Sequence, residues 1–313
     1  MILFVARRVG AMLAVMAIVA LIAFTLLRIS PGDPAALMAG DQASAADIAR
    51  IRTFLGLDAP MPVQLGRWAL QLLSGDLGTS IFSNLPVIQL IKQRAEPTIS
   101  LALSTLFITI MVGIPLGVIA AWKSGSWIDR FVSAVSVIGF AVPAFVLAYV
   151  MILLFSVKMG LLPSQGFVPI SQGLRPFLAS IALPTVTLSL VYIALIMRMT
   201  RAAVLDVLSE DYIRTAYAKG ASEGRVLFFH ALRSAAVPVV TVVGLGVALL
   251  IGGVVVTESV YNIPGVGRLV VDAVQKRDYP VIQGTMLIFA GIYVLINFVV
   301  DLVYVIADPR IRI

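Results

Sequence analysis

The sequence predicts an all-α integral membrane protein with six transmembrane helices. Of its 313 residues, 60% are apolar and only 12% are charged, whereas a soluble domain has roughly 45–50% apolar and about 25% charged residues. The mean hydropathy of +1.03 agrees with this composition. A chain this apolar cannot cover a folded surface with polar groups in water, so a membrane is its expected surroundings.

Residue counts exclude several kinds of chemistry. The chain has no cysteine, which removes disulfide scaffolds, thiolate catalysis and cysteine-ligated metal sites. Its one histidine, His230, cannot build a multi-histidine metal site. The net charge of +7 is interpreted as an orientation signal at the membrane rather than as a nucleic-acid footprint.

Six uncharged segments set the positions of the expected spans. The shortest has 19 residues, which as a helix extends about 28 Å, and the hydrocarbon core is about 30 Å thick. Backbone groups in lipid must bond within their own segment, so these segments are predicted to be helices. The first exceeds a 7–15-residue signal-peptide core and is interpreted as an uncleaved anchor. The segments are residues 9–27, 97–122, 131–157, 176–197, 234–257 and 279–300.

The distribution of lysine and arginine favours an orientation with both termini inside. With the N-terminus inside, 12 basic residues lie on the inner side and 11 on the outer side. Six of the outer ones fall in the long segment between residues 28 and 94, and long segments cross the membrane largely regardless of charge. Among the short loops, the inner side therefore carries the excess.

The outer segment, residues 30–96, is predicted to form a small helical extracytoplasmic cap. Ser44 begins a short helix that ends near Gly56, a second helix covers about residues 64–73, and residues 75–78 form a turn. We therefore divide the chain at residue 96. Residues 1–96 hold the first span and the cap, and residues 97–313 hold a five-helix core with a cytoplasmic loop at about 200–235.

The cytoplasmic loop is predicted to contain two helices joined by a small-residue corner. The first covers residues 209–219 and stops at Gly220, and Ser222 caps a second that reaches about Arg233. On the first, Ile213, Ala216 and Tyr217 occupy positions i, i+3 and i+4 and form a shallow apolar face. The residue pattern alone leaves open whether this face lies on lipid headgroups or docks into a soluble partner.

The same loop resembles the EAA loop of ABC importer permeases, and more narrowly that of the dipeptide/oligopeptide/nickel branch. The matching residues are 211–223, DYIRTAYAKGASE, followed by HALR at 230–233 and by Pro238. Arg214 stands where the general motif has Glu, and the proline comes later, as the peptide branch tends to have it. Further segments resemble the same branch: 27–35 (LRISPGDPA), 55–60 (LGLDAP), 75–80 (GDLGTS), 258–269 (ESVYNIPGVGRL), 277–280 (RDYP) and 308–312 (DPRIR).

The resemblance implies the first permease of a peptide-type ABC importer in the bacterial inner membrane. Such systems combine a second permease, two ATPase subunits and an extracytoplasmic binding protein. By position, the first loop helix would be the coupling helix that sits in a groove on an ATPase. The residues so assigned are Asp211, Tyr212, Ile213, Arg214, Ala216, Tyr217, Lys219 and Gly220.

The expected energy source lies outside this chain. The sequence contains no G-x-x-x-x-G-K-[ST] phosphate loop. We therefore expect a subunit that is not an enzyme by itself and carries no cofactor, with ATP and Mg²⁺ held by the partner ATPases.

Two groups of polar residues are candidates for contact with the transported solute. Thr185, Ser189 and Tyr192 place hydroxyls along the fourth span as a pathway lining, although serine and threonine also bond to their own helix backbone. Glu258, Arg277 and Asp278 are candidates for the outer mouth of the pathway, or else ordinary interfacial charges.

A stand-alone secondary transporter or channel is the alternative function. It would need intramembrane ion sites or helix breaks matched between two halves, and the sequence indicates neither. Within the importer interpretation the substrate stays open among dipeptides, longer peptides, glutathione, nickel and sugars.

Overall fold

The computed structural model describes residues 2–29, 35–36, 44–54 and 56–307. Of the family-like segments, residues 30–34, residue 55 and the whole of 308–312 lie outside this described part. Within it the chain is helical, and its only β contact is an isolated bridge between Thr79 and Pro86. The helices are α1 (Ile2–Ile29), α2 (Ala45–Phe54), α3 (Met61–Leu73), α4 (Val87–Trp122), α5 (Trp127–Ala141), α6 (Ala144–Lys158), α7 (Leu174–Leu208), α8 (Asp211–Ala218), α9 (Glu223–Val260), α10 (Val266–Lys276) and α11 (Tyr279–Ala307).

Five helices of the described residues, α1, α4, α7, α9 and α11, are long and apolar enough to cross a membrane. The count rises to six if α5 and α6 form one span. The segment predicted as the third span, residues 131–157, is bent, because α5 and α6 meet at an angle of 98° next to Pro143. Val142 is extended there, with ψ of 122°, since the residue before a proline is disfavoured in the helical region.

The short helices before α4 have local causes that the sequence anticipates. The Ser44 hydroxyl and the Asp47 carboxylate cap the start of α2, with Ser44 Oγ donating to Asp47 Oδ2 at 2.6 Å. The Asp47 N–H donates to Ser44 Oγ at 3.2 Å, and the Ser44 N–H donates to Asp47 Oδ2 at 3.3 Å, which completes a capping box. In the predicted turn, the Gly78 N–H donates to Asp76 Oδ1 at 2.8 Å.

The helix that follows the corner at Gly220 differs from its prediction. It does not end near Arg233 but runs on through α9, with a π-helical segment at Val226–Ala231. Ser222 occupies the cap position, yet its side chain makes no capping hydrogen bond. The second loop helix and the predicted fifth span therefore form one continuous helix.

The chain divides into two compact units. One comprises Glu96–Gly267 with parts of the terminal helices, and its core lies around α7. There α4 approaches α7 closely, because a Cβ built on Gly117 would lie 2.6 Å from the Met197 carbonyl oxygen. Gly113 and Gly117 thus confirm the close approach that a G-x-x-x-G pattern predicts.

The second unit comprises Val5–Ala95 and Arg268–Val294. In it the rings of Phe24 on α1 and Trp68 on α3 lie 5.5 Å apart. Gln283 on α11 donates from its side chain to the Ala23 carbonyl at 3.0 Å. These contacts hold α1, α3 and the start of α11 together.

Candidate functional site

Helix α8 is seated on the chain by its apolar side. Ile213 is 1% exposed and belongs to a buried cluster with Val118 of α4, Val204 of α7 and Val226 of α9. Ala216 is half-buried against the same cluster. Two of the three residues of the predicted apolar face are therefore covered by this chain itself, while the third, Tyr217, is exposed.

The remaining surface of α8 carries exposed aromatic and charged side chains. Tyr212 and Tyr217 are 43% and 44% exposed, and the Arg214 side chain is 78% exposed. Asp211 and Arg214 approach to 3.6 Å across one helical turn, an exposed pair that contributes little stability. With Lys219, which is also exposed, these residues form a mixed aromatic and charged surface that this chain does not bury.

Gly220 ends α8 as the sequence predicts. Its φ of +81° lies in the left-handed region, which costs a residue with a side chain about 1–2 kcal/mol. The Gly220 N–H donates to the Tyr217 carbonyl at 2.9 Å, and the Ala221 N–H donates to the Ala216 carbonyl at 3.1 Å. The chain thereby turns sharply from α8 into α9.

Two long-range contacts near α8 were missed by the sequence analysis, and they hold the segment from the end of α4 to the start of α5. Trp122, at the end of α4, donates from its indole N–H to Glu223 Oε2 at 3.3 Å. Asp129 on α5 receives Arg201 of α7 in a two-pronged ion pair, with the Nη2 to Oδ2 distance 2.8 Å. Their partners lie 101 and 72 residues away, so the only local signal was the Ser126-x-x-Asp129 capping pattern.

Glu258, a candidate for the outer mouth, is fully buried. Its Oε1 accepts a 2.6 Å hydrogen bond from the Thr98 hydroxyl of α4. The following loop wraps the carboxylate, since a Cβ on Gly265 would overlap it. The arrangement fixes the loop between α9 and α10, where close packing requires glycine.

Asp278 is buried as well, whereas Arg277 beside it is exposed. The Asp278 carboxylate accepts the Ser80 hydroxyl at 2.5 Å and the Ile81 N–H at 3.2 Å. It therefore ties the start of α11 to the loop before α4. Both carboxylates therefore bond inside the chain, a structural role that the sequence analysis did not anticipate.

The candidate lining residues of α7 are buried among the helices of the chain. Thr185 and Ser104 share a hydrogen bond of 2.8 Å between their hydroxyls. Ser189 donates to the Thr105 carbonyl at 3.4 Å, and Tyr192 donates to the Leu249 carbonyl at 2.8 Å. These hydroxyls link α7 to α4 and α9.

Five or six long apolar helices of the described residues, with a short and largely exposed helix between two of them, define a multi-pass membrane protein. Residues 113–313 match the family model described as the binding-protein-dependent transport system inner membrane component. Residues 1–102 match the N-terminal model of the same membrane components. The chain belongs to this family and is a multi-pass protein of the inner membrane.

Curated relatives and solved structures agree with that assignment. The chain is 52% identical to a probable peptide ABC transporter permease of Sinorhizobium fredii, over 99% of each chain. It is 41% identical to a glutathione transport system permease of Salmonella typhimurium, over 99% of this chain and 98% of that one.

Among solved structures, an inward-facing MetNI methionine ABC transporter matches with a TM-score of 0.58 and 21% identity. The match covers 71% of this chain and 97% of that one. At this identity the likeness establishes the fold alone, and the fold is that of an ABC transporter permease.

Proposed function

We propose that this chain is a permease subunit of an ATP-driven importer for peptides or peptide-like small solutes. The family assignment and the peptide and glutathione permeases among its relatives support this proposal. The observation that carries it is that α8 is anchored by one buried residue while most of its surface is exposed. Ile213 anchors the helix to the chain, while Tyr212 and Tyr217 face outward.

In this proposal α8 is the coupling helix, and its exposed side occupies a groove on a partner ATPase. Because Ile213 packs against the ends of α4, α7 and α9, displacement of α8 moves three long helices together. Gly220 sets the corner and Arg214 and Lys219 add charge at the docking surface. Ile213 and Ala216 act by seating the helix.

The proposed assembly contains a second permease, two ATPase subunits and an extracytoplasmic binding protein. The ATPases hold ATP and Mg²⁺, so this chain contributes half of the pathway and no catalysis. Both termini lie inside the cell, which places α2 and α3 in an extracytoplasmic cap. The lysine and arginine distribution supports this orientation.

The test is purification in mild detergent of the chain expressed with its genomic neighbours, followed by uptake of a labelled peptide into proteoliposomes. We expect a second permease and two ATPase subunits to co-purify and uptake to require ATP and the binding protein. A chain that purifies alone and transports solute without ATP would instead be a secondary transporter or channel.

Charge reversal on the exposed face tests the coupling helix itself. Arg214→Glu changes a side chain that is 78% exposed, so the fold should persist while docking of the ATPase weakens. The matched control is Arg50→Glu on α2, where the arginine is also exposed. Equal ATPase retention and uptake in both variants would contradict the role of α8.

A further inference from the structure

We propose that the Asp129–Arg201 ion pair is a positioning contact that makes α5 move as one body with α7. This inference rests on the proposed coupling function, and in it the movement of α8 is passed one helix further, to α5. Asp129 and Arg201 touch no solute in this scheme and act through the helices that they join.

The Asp129 carboxylate is placed for this task by its own helix. Ser126 is the N-cap of α5, and the Asp129 N–H bonds to Ser126 Oγ at 3.4 Å. The Asp129 Oδ2 atom in turn accepts the Gly125 N–H at 2.9 Å. Two backbone contacts therefore hold Asp129 in place independently of Arg201. The Asp129 side chain is only 7% exposed.

Arg201 binds this carboxylate through two nitrogens, Nε to Oδ1 and Nη2 to Oδ2. A two-pronged arginine–carboxylate pair fixes orientation as well as distance. A largely buried ion pair adds little to stability compared with apolar packing of the same volume, so its attested value is in setting register. The register fixed here is that of α5 along α7.

A second contact holds the far end of α5 to the same helix. A Cβ built on Gly139 would lie 2.9 Å from Ala194 Cβ, and between the two ends Val132 packs with Met197. Helix α5 ends at Ala141, and the chain turns by 98° at Val142 into α6. Helix α5 is thus fastened to α7 along its length, and the break marks where that body ends.

The path from α8 to α5 runs through a single helix, α7. Ile213 of α8 packs in the same buried cluster as Val204 of α7. Arg201 lies one helical turn before Val204 on the same helix. A push on α8 therefore reaches Asp129 through α7 without passing through a flexible loop.

The first experiment measures ATP-driven uptake and ATP hydrolysis by the complete complex in proteoliposomes, with Asp129→Asn, Arg201→Gln and the double variant. We expect uptake to fall about tenfold with hydrolysis retained, because residues that carry coupling change it without contacting either ligand. The double variant should be no worse than the more impaired single variant.

The control is Asp47→Asn, which alters the capping box of α2. Wild-type uptake in Asp129→Asn, or additive losses in the double variant, would overturn the proposal.

A disulfide decides the matter if the charge variants fail to assemble. The chain has no cysteine, so Val132→Cys with Met197→Cys, at two positions that pack together in one buried cluster, allows α5 to be locked to α7. We expect oxidised complex to keep uptake, because the two helices already move together, and a reversible loss on oxidation would overturn the inference. Failure of the proposed function is distinguishable, since then the wild-type complex itself would show no ATP-driven uptake.

Discussion

Thr98 and Glu258, which lie 160 residues apart in the sequence, share a hydrogen bond of 2.6 Å from hydroxyl to carboxylate. The same Thr98 oxygen accepts the Val266 N–H at 2.8 Å. One hydroxyl therefore connects α4, the end of α9 and the start of α10. Because Glu258 is fully buried, its carboxylate depends on such donors for its stability.

Thr98→Val should destabilise the protein while preserving the shape of the side chain. The change removes a donor from a buried carboxylate, and hydrogen bonds to charged groups contribute about 1.5–3 kcal/mol. A lower melting temperature of the detergent-purified protein is the expected result. Thr98→Ser, which keeps the hydroxyl, is the control, and equal melting of Thr98→Val and wild type would contradict the interpretation.

Gly117→Ala tests the close approach of α4 to α7. The added Cβ would lie 2.6 Å from the Met197 carbonyl oxygen and 2.8 Å from Thr200 Cβ, so the helices must separate. Overpacking of this kind costs about 1–3 kcal/mol. The matched control is Gly252→Ala on α9, where a Cβ would meet nothing within 4 Å. Comparable thermal stability of the two variants would refute a tight α4–α7 contact.

The positions of the helices and of several helix ends could be predicted from the sequence, because nearby residues determine them. Charge-free segments long enough to cross a bilayer gave the positions of most long helices. Gly220 gave the end of α8, and the Ser44-x-x-Asp47 pattern gave the start of α2. Each of these signals depends on residues within a few positions of one another.

The burial of the charged residues could not be predicted in the same way. Glu258 and Asp278 each lie next to a span, which in sequence looks like an interfacial charge. Their partners, Thr98 and Ser80, are 160 and 198 residues away. Similarly, the apolar spacing on α8 could not distinguish Ile213, which this chain buries, from Tyr217, which it leaves exposed.

Gly220→Ala should weaken the corner between α8 and α9 without creating a clash. No atom lies within 4 Å of a Cβ at this position, but φ is +81°, and the left-handed backbone costs about 1–2 kcal/mol for a residue with a side chain. Gly224→Ala is the control, since that position is also open but has no positive φ. We expect uptake and ATPase retention to fall in Gly220→Ala only, with Gly220→Asn less affected. The same loss in Gly224→Ala would point to the loop sequence in general instead of the corner.

Thr109→Val should leave the melting temperature unchanged or raise it. The Thr109 hydroxyl on α4 is buried, and within the described residues it has no hydrogen-bond partner. An unsatisfied buried hydroxyl costs about 1–3 kcal/mol, and valine has the same shape without that polar atom. Thr257→Val is the matched comparison, because the equally buried Thr257 hydroxyl donates to the Gly253 carbonyl at 2.9 Å. We expect only the Thr257 variant to melt earlier in detergent. A decrease of similar size in Thr109→Val would mean that its hydroxyl has a bonding partner that this chain does not supply.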